Sequence, residues 1–524
     1  MADDTPQAGV AAVLAYHDRT KHSFQRFARS LGYLDWATQP DPFRRYAGAP
    51  LVELPRVPLA GDGHPVPLTA DAVAECLRCA FGLTAWKQAG ASRWALRANP
   101  SSGNLHPTEA YLVARAGASW RVSHYAPREH ALETRAELDS ADLDLPPGVC
   151  LVGLSSIHWR EAWKYGERAF RYCQHDVGHA IGALAYSAGR LGWRVRLLMR
   201  WSDADIEALL GLPSGASGAE AEHPDCLLAV GPGEVDRAAH LEPGPWVAAA
   251  AGASWLGQPN QLSADHVDWP AIDSVTAATR RGREEAGPDT AAAPSGPSVD
   301  RAWLLRRRSA VSFDGRGHLG RDAFARLVAR VEPGADRIPG REASPVWSAG
   351  LWPPQIRLVW FVHRVEGLAP GIYGQPRDPA ALEPMRRDLR DDLLWEPADG
   401  IEGLFLLAPL DARGLAQRLS CDQGIAADGY FGMAMLAPLA PALDRYGPWF
   451  YRALFWECGL IGQVLYLEAE IAGGRSTGIG CFYDDPVHEV LGIKGHGLQS
   501  LYHFSMGVPV DDARLSTAPG YPWD

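Results

Sequence analysis

Long apolar runs are missing from this 524-residue chain, and no stretch approaches the roughly 20 residues a membrane helix needs. The opening Met1-Ala2-Asp3-Asp4-Thr5 is acidic and lacks the apolar centre of a signal peptide. Positive charge is in deficit: 50 Lys and Arg stand against 62 Asp and Glu, giving a net charge of -12 and a pI near 5.8. That sign argues against nucleic-acid and anionic-membrane partners. Cysteine is sparse, eight residues scattered along the chain, so a reducing cytoplasm is the expected setting. Cys76 and Cys79 form a Cys-x-x-Cys, but Glu75 to Phe81 reads as helix and neither a second Cys pair nor a His pair accompanies it. Buried thiols are expected there rather than a zinc or redox pair. Also lacking are a Walker loop, a Ser-His-Asp order and a Gly-x-Gly-x-x-Gly behind a strand.

What is present is an ordinary globular balance, 47% hydrophobic and 21% charged, on a chain long enough for two to four domains. Nineteen Trp suit cores and an internal interface. Residues 1–50 read as an N-terminal helical extension in which His17 and His22 are expected on a solvated helix face rather than on a metal. Residues 51–67 are Pro-rich and extended. Helix is expected over Thr69 to Phe81, and strands over Glu109 to Ala114, Cys150 to Leu154 and Cys226 to Val230. A long helix is expected from Arg168 to Arg190, where Phe170, Cys173, Val177, Ile181, Leu184, Ala188 and Leu191 form one stripe. Residues 246–299 turn to Ala, Gly, Pro and Ser, and Ala286 to Pro297 reads as linker, whereas Asn260 to Trp269 reads as a segment that docks.

The second half repeats the first. Ser101 to Pro107 aligns with Ser348 to Pro354 at a displacement of 247, and Lys164-Tyr165-Gly166 with Arg445-Tyr446-Gly447 at 281. At 281, Arg171 meets Arg452, Gly178 meets Gly459 and Gly211 meets Gly492. The apolar stripe recurs through Tyr451, Leu454, Cys458, Gly462, Leu465, Ala469 and Ala472, on a helix apolar enough to be buried. The buried Glu457 on that helix calls for an Arg partner. His175 and His179 have metal-ligand spacing, but without a following Glu they read as core or interface polar residues.

Four stretches carry candidate chemistry. Pro100, Ser101, Ser102, Gly103 and Asn104 lie in a loop between prolines, with donors and acceptors for a flat, polar-edged ligand. Lys164 and Tyr165 sit side by side ahead of the long helix. Arg307, Arg308 and Ser309 offer guanidinium groups and a hydroxyl suited to a phosphate. Gly478, Ile479 and Gly480 allow close backbone approach.

These stretches resemble those of the FMN-dependent nitroreductase superfamily. Pro100 to Pro107 is similar to its ring-contacting loop, and Trp163 to Tyr172 resembles the Lys-Tyr motif of its SagB-type branch, the thiazole- and oxazole-forming dehydrogenases. The likeness runs from about Leu51 to the end. It implies FMN, with the phosphate on Arg307, Arg308 and Ser309, the ring's N5 side near Gly478, Ile479 and Gly480, and Arg514 as the basic residue near the C-terminus. Val311 departs from the pattern, which has a basic residue there. Lys164 is implied as the base and Tyr165 as its neighbour. The arginine motif survives only in the second repeat and the loop best in the first, where Arg56 and Pro58 replace Arg307 and Ser309. The expected fold class is α+β: two tandem nitroreductase-like three-layer modules, 51–245 and 300–524, with mixed, largely antiparallel sheets, forming an intrachain pseudo-dimer that shares one FMN. The expected activity is oxidation of a small heterocyclic or peptide-like substrate. An NAD(P)H-dependent nitro- or quinone reductase and a non-catalytic flavin- or partner-binding module are the alternatives.

Overall fold

The computed structural model describes residues 6–59, 64–139, 142–213, 218–283, 299–334, 343–350 and 352–524. The Ala286–Pro297 linker reading and Leu351 lie outside them. Two compact units emerge. The N-terminal unit comprises Ser30–Leu305, Pro345–Trp352 and Leu515–Asp524; the C-terminal unit comprises Met1–Arg29, Arg306–Ser344 and Pro353–Arg514. The boundaries drawn from the sequence at 50, 245 and 299 follow composition, and the units run across them.

Helix α1 (Pro6–Arg19) belongs to the C-terminal unit. Its His17 is fully buried, with ring nitrogens 3.1 Å from the Tyr451 hydroxyl and 2.9 Å from Gln499 Oε1, so the solvated-face expectation fails. The side chain is held inside by two polar partners, which offset the cost of burying its nitrogens.

In the N-terminal unit, Thr69 caps α2 (Ala70–Phe81) by accepting from Ala72 N at 3.2 Å. Cys76 and Cys79 on α2 are buried, and burial pushes the Cys79 thiol up to about 12, the behaviour expected of inert core thiols. The sheet is built from β1 (Leu51–Glu53), β2 (Thr108–Ala116), β3 (Ser119–Ala126), β4 (Ala131–Leu138), β5 (Cys150–Ile157), β6 (Arg194–Leu197) and β7 (Glu222–Gly231), in the order β1-β4-β3-β2-β5-β7-β6. Every residue of β5 is buried, as a central strand covered on both faces requires. One face carries Tyr111, Val113, Leu151 and Leu227 against α5 (Asp203–Leu210) and α6 (Pro243–Gly252). The other packs on α4 (Ala169–Arg190), which follows α3 (His158–Tyr165) after one turn. The docking expected of Asn260 to Trp269 is seen: Asn260 Oδ1 accepts from Arg45 N at 2.9 Å and Ser263 Oγ accepts from the Trp159 indole at 2.9 Å.

The C-terminal unit has α7 (Arg321–Arg330) and its own seven strands: β8 (Arg357–Val362), β9 (Gly371–Gln375), β10 (Glu396–Pro397), β11 (Phe405–Pro409), β12 (Phe431–Ala437), β13 (Arg475–Ile479) and β14 (Gln499–Gly507). Their order is β10-β11-β9-β8-β12-β14-β13. Helices α8 (Leu439–Tyr446), α9 (Phe450–Ile471) and α10 (Asp484–Leu491) are displaced by 281 residues from α3, α4 and α5, end for end. Gly211 and Gly492 close α5 and α10 with φ of 64° and 75°, left-handed caps that glycine adopts without strain. Glu457 on α9 finds its arginine in Arg377 and also accepts from Gln355 N and Ile356 N. The expectation of mixed sheets is corrected. All strand pairs among the described residues are antiparallel, and parallel pairing is reduced to isolated bridges such as Ser309 with Ser476.

Candidate functional site

In the N-terminal unit, the loop expected to bind a ring and the Lys-Tyr pair come together. The loop closes as a single 3-10 turn over Ser102–Asn104, with Gly103 at φ 59° and ψ 6°. A Cβ on Gly103 would lie 2.6 Å from the Tyr165 hydroxyl, so both backbone angle and crowding select glycine. Ser102 donates its N–H and its hydroxyl to the Asp176 carboxylate on α4, at 3.0 Å each. Ser101 Oγ accepts from His106 N at 2.7 Å and lies 3.5 Å from Glu161 Oε1 on α3. Asn104, at φ 59°, donates to Ala95 O at 2.9 Å and lies 3.1 Å from His106 Nε2, so its amide braces the loop and keeps capacity for a further bond at each end. Pro100 is buried beneath.

Lys164 ends α3 half-buried, its Nζ 5.2 Å from the Tyr165 ring centre and 5.6 Å from that of Trp36. Burial lowers its pKa, tempered by the Glu161 carboxylate. Glu161 is itself buried and held well above the usual carboxylate range by desolvation and by Asp176. Burial pushes Asp176 up to about 7, against the hydrogen bonds from Ser101 and Ser102. The result is an amine easier to deprotonate beside Glu161, a carboxyl easier to protonate, with a second such carboxyl, Asp176, under the loop. In the C-terminal unit the aligned pair has Arg445 5.0 Å from the Tyr446 ring centre, a cation that does not deprotonate.

The aligned loop, Pro345–Trp352, belongs to the N-terminal unit and packs on α4 and β6. Gly350 has φ 67°, matching Gly103, but a Cβ there would fall on the Arg196 guanidinium. That loop is therefore backed by a cation where the first is backed by Tyr165.

In the C-terminal unit, the arginine motif and the glycine stretch meet at Tyr466 of α9. The Tyr466 hydroxyl lies 2.8 Å from Ser309 Oγ and accepts from Gly478 N at 3.1 Å. Arg307 is buried with its guanidinium 5.0 Å from the Tyr466 ring centre; desolvation lowers its pKa, and Tyr466 and Glu470 counteract this. Arg308 N donates to Glu470 Oε1 at 3.3 Å. Gly478 is glycine for a reason the sequence hid: a Cβ would lie 1.9 Å from the Tyr502 hydroxyl. Ile479 is buried and Gly480 half-exposed at the strand's end. Arg514 is exposed and pairs with its own near neighbour, Asp512, at 2.7 Å.

Sequence reasoning missed Glu161, Asp176, Trp36, Tyr466 and Glu470. The helical register of α3, α4 and α9 brings Glu161, Asp176, Tyr466 and Glu470 to their partners, and Trp36 reaches Lys164 from a short 3-10 turn, Trp36–Thr38, early in the chain. It also missed a cavity of about 400 Å³ in the N-terminal unit, where His158, Trp159 and Ala162 of α3 face Trp269, Ile272 and Thr276.

The chain matches no protein-family model and no curated protein. Among solved structures, a protein from Anabaena variabilis described as a nitroreductase shares 22% identity over 95% of this chain and 99% of its own, with a TM-score of 0.71. At that identity the likeness shows the fold alone: a nitroreductase-like fold over nearly the whole chain. The Escherichia coli microcin synthetase complex matches 40% of this chain and 70% of its own at 17% identity, with a TM-score of 0.29. A Ralstonia eutropha protein described as a nitroreductase matches 38% of this chain and 94% of its own at 14% identity, with a TM-score of 0.26. Neither of these two carries weight. No helix among the described residues is long and apolar enough to cross a membrane.

Proposed function

We propose that the chain is an FMN-dependent oxidoreductase built from two related modules, acting as a dehydrogenase on a heterocyclic or peptide-like substrate. The observation that carries the reading is the grouping of Lys164, Tyr165 and the Ser101–Asn104 loop around the buried Glu161 and Asp176. The nitroreductase-like fold supports it. The residues present fit the cofactor's needs: the desolvated Arg307 guanidinium, with Arg308 and Ser309 beside it, suits a phosphate dianion. Gly478, Ile479 and Gly480 on the same unit offer backbone groups to a polar ring edge. Bound FMN would supply the hydride acceptor.

The chain's own residues do the rest. Lys164, its ammonium disfavoured by burial, takes the substrate proton, with the Tyr165 and Trp36 rings beside it. Glu161 sets the charge facing that amine, and Asp176 fixes the loop through Ser102. The cavity against α3 has the size of a small organic ligand and an aromatic rim. A cytoplasmic setting belongs to the same proposal.

The test is the absorbance spectrum of purified protein, with mass identification of whatever heat releases. One FMN per chain is expected, because the arginine motif occurs once. A colourless protein that takes up no added FMN overturns the reading; a different released cofactor does so as well.

A further inference from the structure

Three metal-binding side chains from distant parts of the sequence converge in the C-terminal unit. Cys481 follows Gly480, Cys421 follows the helix Arg413–Leu419, and His22 lies just beyond α1. Cys481 Sγ is 2.8 Å from Cys421 Sγ and 3.8 Å from His22 Nδ1, and the three ligand atoms lie within 4.8 Å of one another. From the geometry we propose a Cys2His site for a zinc-class divalent cation at His22, Cys421 and Cys481. It rests on these residues alone, independent of the flavin reading.

The donor set decides the class. Two thiolates and an imidazole are soft-to-borderline ligands, which select zinc over calcium or magnesium. Zn–S near 2.3 Å and Zn–N near 2.0–2.1 Å place tetrahedral ligand atoms about 3.5–3.8 Å apart. The His22–Cys481 spacing is already close to this, and the two sulfurs need to part by about 1 Å, within the reach of side-chain rotation. A disulfide would use both sulfurs and leave the convergence of His22 without purpose. The fourth position falls to water.

The frame around the donors is braced on each side. His22 N donates to Asp484 Oδ2 at 2.8 Å, Asp484 N donates to His22 O at 2.9 Å, and the imidazole packs 4.9 Å from the Phe27 ring centre. Tyr483 N donates to Leu419 O at 2.9 Å, which ties the Cys481 segment to the helix before Cys421. Cys421 and Asp422 both adopt left-handed backbone, φ 55° and 58°, a conformation costing of order 1 kcal/mol or more per non-glycine residue. That strained turn presents Cys421 toward Cys481. A bound cation would staple the His22 segment to the end of β13.

The test uses the full chain, reduced and stripped with a chelator, then titrated with Zn²⁺ or Co²⁺. One equivalent bound, proton release on binding and a thiolate-to-cobalt charge-transfer band are expected. Cys421→Ser and His22→Ala should each weaken zinc binding at least tenfold, with circular dichroism reporting that they fold. The wild-type cobalt spectrum stands whether or not a variant folds. No uptake by the reduced chain overturns the proposal, as does uptake that persists undiminished in folded variants. A Cys421–Cys481 disulfide that forms equally fast with zinc present also overturns it.

Discussion

Replacing Asp176 with asparagine is expected to change how stability depends on pH. Asp176 is 1% exposed, and its carboxylate accepts from Ser102 N and Ser102 Oγ. Burial raises it from 3.8 to about 7, despite those hydrogen bonds. In the unfolded chain the group ionises near 4, so between about 4 and 7 the folded state holds a proton that the unfolded state has lost. The stability contribution is therefore fully present below pH 4, falls as pH rises to 7 and is flat beyond. A shift of about three units corresponds to on the order of 4 kcal/mol across that window, an upper bound since water entry relaxes it. Glu161, also raised by burial, acts with the same sign and remains in the variant. The substituted amide keeps the size and one acceptor for the Ser102 N–H but cannot ionise. Urea midpoints followed by tryptophan fluorescence at pH 5 and pH 8 supply the assay. The wild type should lose stability between the two, and Asp176→Asn should lose less by a few kcal/mol, becoming the more stable protein at pH 8. Parallel pH profiles for the two proteins would refute the reasoning.

Lys164→Ala should retain FMN and lose turnover about a hundredfold to ten-thousandfold, the usual contribution of a positioned acid or base. Lys164→Arg should not restore it, because a guanidinium stays protonated; normal turnover of a genuine substrate by Lys164→Ala sinks the assignment. Arg307→Ala removes charge-assisted bonds to a phosphate, each worth roughly 1.5–3 kcal/mol. FMN affinity, measured by fluorescence quenching, should drop at least about tenfold per bond lost, and an unchanged affinity in a folded variant excludes Arg307 from the phosphate.

Long elements were the legible part of the sequence. The α4 stripe from Phe170 to Leu191 and the α9 stripe from Tyr451 to Ala472 announce two buried helices, and both occur as Ala169–Arg190 and Phe450–Ile471. The Gly211 and Gly492 match has a physical cause, since each glycine closes a helix in the left-handed region. Side-chain environment was not legible. His17 reads as polar and solvated, yet Tyr451 and Gln499, more than 400 positions away, bury it. Glu161 and Asp176 look like ordinary helix-surface acids in the sequence, and only the turn between α3 and α4 brings both against the loop. The cysteines show the same limit. Cys76 and Cys79, adjacent in sequence, are inert core thiols, whereas Cys421 and Cys481 meet only in three dimensions.

The two helix-end pairs bring out the difference between the repeats. Lys164 and Arg445 close equivalent helices and lie at similar distances from their neighbouring tyrosine rings, 5.2 and 5.0 Å. Position is thus preserved and chemistry is not. Burial lowers the pKa of the half-buried Lys164 amine beside Glu161, whereas Arg445 presents an exposed guanidinium. The loops differ in the same way. Ser102 meets an acid, Asp176, whereas Gly350 at the aligned turn meets a cation, Arg196. The phosphate-suited arginines, conversely, stand only in the C-terminal unit, where Tyr466 links Ser309 to Gly478. In the sequence, Arg445 stands at the place aligned with Lys164, Leu351 at that of Asn104, and Pro58 at that of Ser309, so each exchange removes a polar or titratable group that its counterpart offers.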